Sequence, residues 1–200
     1  MEKLTYYLIT LFYKLGLRRI LIKAQRVLSG EWKTIKTPLP DIYRPEDVET
    51  YINQKFKYRL DTLSIGNKKI PLDWVTSPEV FQTRLENPED VDGDCDDYHY
   101  WVATMLARIP GVSNVMMVST VWSGGGHTVC TYFYNRKWFL FNYGISEIDS
   151  PNDVPRLVFK RHAEVGSKVL FYVFEDLDFN LLAAKPDSVK EVVYGGKEIV

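Results

Sequence analysis

The stretch Val91–Trp101, VDGDCDDYHYW, with Asp90 just before it, sets one cysteine, Cys95, among Asp90, Asp92, Asp94, Asp96 and Asp97, directly ahead of an apolar run. Calcium binding, zinc binding and thiol chemistry are the candidates. An EF-hand loop needs acids at positions one, three and five, Gly at six and Glu at twelve. Asp90, Asp92 and Asp94 meet the first three, but Cys95 and Trp101 fall at six and twelve, so the turn residue and the bidentate ligand are both missing. Two cysteines (Cys95 and Cys130) and three histidines have none of the spacings of a structural zinc site. No metal is assigned from the residues themselves.

A reactive thiol suits the pattern better. Gly93-Asp94-Cys95 stands where a helix should begin, with Asp94 as N-cap and Cys95 in the first turn. Backbone N–H groups and the positive end of the helix dipole favour thiolate there. The aspartates oppose it, so a reactive Cys95 needs a basic partner, usually imidazole. His99 is one turn along the same helix and lacks an orienting third group. His162 lies in the charged segment FKRHAEVG and reads as exposed. His127 follows SGGG and opens the apolar run HTVCTYFY, which is followed by NR and KWFLFNY.

That pair of runs reads as a hairpin. If Asn135 and Arg136 form a two-residue turn, Tyr134 faces Lys137 and Val129 faces Asn142. His127 then shares a face with Val129, about 7–8 Å diagonally from Asn142, while Cys130 points the other way. The amide oxygen of Asn142 could accept from one ring nitrogen of His127 and leave the other for Cys95. One extra turn residue would reverse the faces.

The motifs GDCDDYHYWVATML, GGGHTVCTYF and RKWFLFNYG together resemble the transglutaminase-like cysteine peptidase superfamily, in particular the bacterial transglutaminase-like cysteine proteinases. YINQKFKYRLD and LDWVTSPEVFQTRL are similar to that family's lead-in, and the resemblance covers about residues 45–145. It implies an α+β, papain/transglutaminase-like fold with the nucleophile helix packed on an antiparallel sheet. It also implies a thiol acyl-transfer enzyme, most simply a cysteine peptidase or amidase, with Cys95, His127 and Asn142 as the triad. The family's third residue is usually Asp; Asn serves in papain-like enzymes. No cofactor is required, and calcium near Asp94 and Asp96 is implied only by relatives that bind it through acids flanking the cysteine. The alternative is a structural or assembly module that keeps the fold without catalysis. The substrate is expected to be a protein or peptide.

These residues must be positioned by the elements around them. A helix is expected over residues 4–28, ended by Gly30, then a Pro-rich linker. Further helices are expected from Pro45 and after Ser77, with a short loop or hairpin between them. Tyr98, Trp101, Val102, Met105, Leu106 and Ile109 recur at helical spacing after Cys95. From Val115 the period falls toward two, in VMMVSTVW, HTVCTYFY, KWFLFNY and SKVLFYVFED. Helices followed by strands suggest α+β. The expected organisation is a helical extension and linker at 1–40, a catalytic domain at 41–175 and a C-terminal extension at 176–200.

The 200 residues suit one sizeable core, and 13 Tyr, 10 Phe and 5 Trp argue for a packed chain. The net charge of -1 hides an asymmetry. Residues 1–36 hold eight Lys/Arg against two acids, +6, and the remainder seventeen against twenty-four, -7. The basic segment reads as a helix packed on its own domain or docked on a partner or membrane surface; a protein partner is preferred to a membrane, and no nucleic acid is expected. With no convincing signal peptide or spanning segment, a cytoplasmic location is expected.

Overall fold

The computed structural model describes residues 17–34, 36–58, 62–65, 68–71, 75–87 and 93–186. The helices are α1 (Leu17–Leu28), α2 (Pro45–Lys55), α3 (Pro78–Glu86), α4 (Cys95–Ala107) and α5 (Val154–His162). The strands are β1 (Thr62–Ile65), β2 (Lys68–Pro71), β3 (Ser113–Trp122), β4 (Gly125–Tyr134), β5 (Lys137–Phe141), β6 (Ile145–Ile148), β7 (Val169–Glu175) and β8 (Leu181–Pro186). β1 and β2 form a separate hairpin. The other six make one antiparallel sheet in the order β6-β5-β4-β3-β7-β8. The fold is α+β, with the helix that begins at Cys95 packed on this sheet, as expected from the sequence.

Side-chain alternation gives the sheet two apolar faces. Met117, Cys130 and Phe141 stand opposite one another on β3, β4 and β5 and pack under α4. One residue on, Val118 and Val129 face the other way and pack with Val154 and Val158 of α5. α4 is apolar on nearly every side because it is the middle layer. It is covered by the sheet on one side and by α2 and α3 on the other. Tyr98, Trp101, Val102, Met105 and Leu106 are fully buried there. Trp101 stacks on Tyr51 with ring centroids 5.5 Å apart and donates its indole N–H to Gln82 Oε1 at 3.0 Å.

The β4–β5 turn is the two-residue turn expected. Asn135 and Arg136 have φ of 50° and 64°, the left-handed pair that matches the twist of the flanking strands. Tyr134 pairs with Lys137 and the register runs without a bulge to Cys130–Phe141.

Several features extend the sequence reading. α5 and β6 were not expected, and β8 carries the sheet past residue 175. α1 ends at Leu28, where its expected helix ends, and its expected first turns lie outside the described residues. The helix expected from Pro45 stops at Lys55.

Candidate active site

Asp94 caps α4: its Oδ1 accepts from the Asp96 N–H at 2.9 Å. This places Cys95 at the first helical position, half-buried. Asp97 and Tyr98 brace the helix start. Asp97 Oδ1 accepts from the Thr76 N–H at 2.7 Å, and the Tyr98 hydroxyl donates to Asn53 Oδ1 at 2.6 Å. The same crowding explains Gly93. A Cβ there would stand 2.7 Å from Phe81 Cε2 and 3.1–3.2 Å from the Asp97 side chain. Gly93→Ala is therefore expected to cost about 1–3 kcal/mol, visible as a lower thermal midpoint. An unchanged midpoint would show that Phe81 moves aside freely.

His127 and Asn142 meet, just beyond the last β4–β5 pair, Cys130–Phe141. His127 Nε2 and Asn142 Oδ1 are 3.0 Å apart. Asn142 lies just past the end of β5, is buried, and takes part in a tight turn in which its N–H donates to Gly144 O at 3.0 Å. An amide oxygen only accepts, so His127 carries its proton on Nε2 and keeps the lone pair on Nδ1. Alternation alone would place His127 on the face of Val129, away from α4. The paired part of β5 ends at Phe141, so His127 has no β5 residue opposite it. Its ring is touched from both sides of the sheet: by His99 of α4 at 5.6 Å and by His162 of α5 at 4.2 Å between centroids.

His162 is the site neighbour that sequence reasoning missed. Although its segment is largely exposed, His162 itself ends α5 half-buried, and Asn142 Nδ2 donates to its Nε2 at 3.0 Å. The side-chain amide of Asn142 is thus used at both ends, its oxygen to His127 and its nitrogen to His162. The spacing Val154–Val158 behind Ser150-Pro151 signals a short helix, but not where that helix packs. His99 is fully buried. Its Nδ1 donates to Cys95 O at 2.8 Å, so it braces the first turn of α4.

Burial governs the charges. It pushes the imidazole of His127 down to about 4; the Asn142 hydrogen bond pulls the other way, and His162 and Arg161 add smaller lowerings. His99 lies well below the ordinary histidine value, from burial first and then the neighbouring His127. His162 is lowered by burial and by Arg161. Cys130 is buried and unbridged, and burial drives its thiol far up.

Cys95 and His127 line one cavity of about 320 Å³, together with Asp94, Asp96, Ser119 and Thr128. Arg18 of α1 reaches its wall. The Cys95 sulfur lies 3.9 Å from Asp96 Oδ1. Among the described residues, no group of three or more His, Cys, Asp or Glu is arranged to hold a metal ion, and one oxygen of Asp94 is already used in capping.

No family model matches the sequence, and no curated protein matches it. Among solved structures, the chain is similar to LapG of Legionella pneumophila. With the calcium-bound form the TM-score is 0.39 and the identity 17%, over 74% of this chain and 70% of that one. With the EGTA-treated form the TM-score is 0.36 and the identity 17%, over 76% and 70%. The likeness is distant and concerns the fold. Among the described residues, no helix is long and apolar enough to cross a membrane.

Proposed function

We propose that the chain is a thiol acyl-transfer catalyst, most simply a cysteine peptidase or amidase. The observation that carries this reading is the His127–Asn142 hydrogen bond at a cavity that Cys95 also lines. Cys95 sulfur attacks a carbonyl carbon, and its proton passes to Nδ1 of His127. The carbonyl π pair moves onto oxygen, helped by the Cys95 backbone N–H at the start of α4. Collapse breaks the bond to the leaving amine, which takes the proton from His127. Water, or a second amine, then displaces the acyl group by the reverse sequence. Asn142 holds the ring in the Nε2–H form that leaves Nδ1 as base, and His162 fixes the direction of the Asn142 amide.

On this reading the catalytic unit is residues 41–175, with α1 and β8 packed on it, and the substrate is a protein or peptide. Calcium near Asp94 and Asp96 has no step in the scheme.

A second reading keeps the fold without the catalysis. It is favoured by the carboxylates around Cys95, which work against thiolate. Iodoacetamide at neutral pH separates the two. The catalytic reading expects rapid labelling of Cys95 alone, slowed by His127→Ala. Equal, slow labelling of Cys95 in both proteins would leave the non-catalytic module standing.

A further inference from the structure

α1 is amphipathic in the inverted sense. Its polar face turns inward. Arg18 Nε lies 3.7 Å from Glu175 Oε1 and Arg26 donates to Val75 O at 3.2 Å, while Arg19, at the exposed edge of the helix, donates to Asn180 Oδ1 at 3.1 Å. Arg26 also stands over the Tyr100 ring at 5.6 Å. Of its large apolar residues, only Ile22 enters the core, at 2% exposed. The opposite stripe, Leu17, Ile20, Leu21, Ala24, Val27 and Leu28, faces outward, with Ile20 61%, Val27 63% and Leu28 79% exposed. Arginines anchor the helix to the domain and leave its leucine and isoleucine stripe uncovered, the reverse of a helix that only completes a core.

We infer that α1 docks on an anionic lipid surface, lying in the interface with its apolar stripe down. Two further observations choose this occupant. The stripe is bordered by exposed Arg19 and Lys23, within a segment, residues 1–36, that carries +6. That charge repels a second copy of the same helix and attracts an anionic surface. The preceding residues of the sequence add Leu4, Tyr6, Tyr7, Leu8, Ile9, Leu11, Phe12 and Tyr13 with Lys3 and Lys14, the mix of aromatic, aliphatic and basic residues found at membrane interfaces. The sequence alone ranks a protein partner ahead of a membrane; the outward direction of the stripe is what changes the reading. Because Arg18 also reaches the wall of the Cys95 cavity, the docked face and the site would share one helix. The inference itself does not depend on catalysis.

The test is cosedimentation of the full chain with vesicles of phosphatidylcholine alone and of phosphatidylcholine mixed with phosphatidylglycerol. A triple variant, Ile20→Ser, Val27→Ser and Leu28→Ser, changes only exposed positions, and its thermal melt checks that the fold survives. Wild type should pellet with the mixed vesicles, less so as salt is raised and little with phosphatidylcholine alone. The triple variant should bind at least about tenfold more weakly. Three results would overturn the inference: wild type staying in the supernatant, the triple variant pelleting as well as wild type, or wild type sedimenting without vesicles as a dimer that the triple variant dissolves.

Discussion

Cys95→Ala is expected to lower hydrolysis of an activated acyl donor such as p-nitrophenyl acetate by about 10⁴-fold or more, because the nucleophile of the whole cycle is gone. Cys130→Ala should leave the rate unchanged, since that thiol is enclosed between α4 and the sheet. The partners grade the effect. Asn142→Ala frees the His127 ring to turn, and misplacing a base in this way costs about 10²-fold. Asn142→Asp restores an acceptor for His127 Nε2 but cannot donate to His162, so His162 must itself carry the proton. That variant should keep most of the rate and hold a proton on His162 to higher pH, readable from the ring carbon shifts by NMR. His162→Gln supplies an acceptor for the Asn142 amide and should outperform His162→Phe. A Cys95→Ala protein as active as wild type would end the catalytic reading outright.

The second large effect is loss of stability in mild acid. His127 titrates near 4 in the fold and near 6.5 when unfolded. Below about 6.5 the unfolded chain binds a proton that the folded chain refuses, so stability falls as pH drops and the loss is complete below about 4. The gap is worth up to about 3 kcal/mol, reduced by screening where the ring is exposed. His99, fully buried, acts in the same direction. Glu86, whose carboxyl Lys55 and Tyr51 hold below its usual value, also loses its contribution on acidification. Between pH 7 and pH 5 the thermal midpoint should fall by roughly 5–10 °C, taking about 2–4 °C per kcal/mol for a chain of this size. His127→Gln should flatten part of the slope. A midpoint constant over that range would mean that the buried histidines relax to water without cost.

What was legible in the sequence was local. The Asp94 cap, the apolar period after Cys95 and the Asn135-Arg136 turn each rest on neighbours a few residues apart, and the hairpin brought His127 and Asn142 to the same end of the β4–β5 ladder, just beyond its last pair. His162 was not legible, because it comes to Asn142 through α5, whose position depends on packing Val154 and Val158 against a sheet face formed elsewhere in the chain. The open edge beside His127 was hidden as well: alternation assigns a face, but only the end of β5 lets one ring meet helices from both sides. The direction of α1 was the third such case. Its spacing shows two faces, and only Glu175, Asn180 and Val75, all far along the chain, show which one turns inward.

Cys130, a residue with no part in the proposed chemistry, gives the protein a built-in measure of its own breathing. It is enclosed where Met117, Phe141 and α4 meet, so a thiol reagent reaches it only when the centre of the sheet opens. Once Cys95 is blocked, the rate at which the second thiol is consumed, divided by the rate for an exposed thiol, gives the equilibrium for that opening. Followed against denaturant, it would tell whether the nucleophile helix lifts from the sheet by itself or only as the whole chain unfolds.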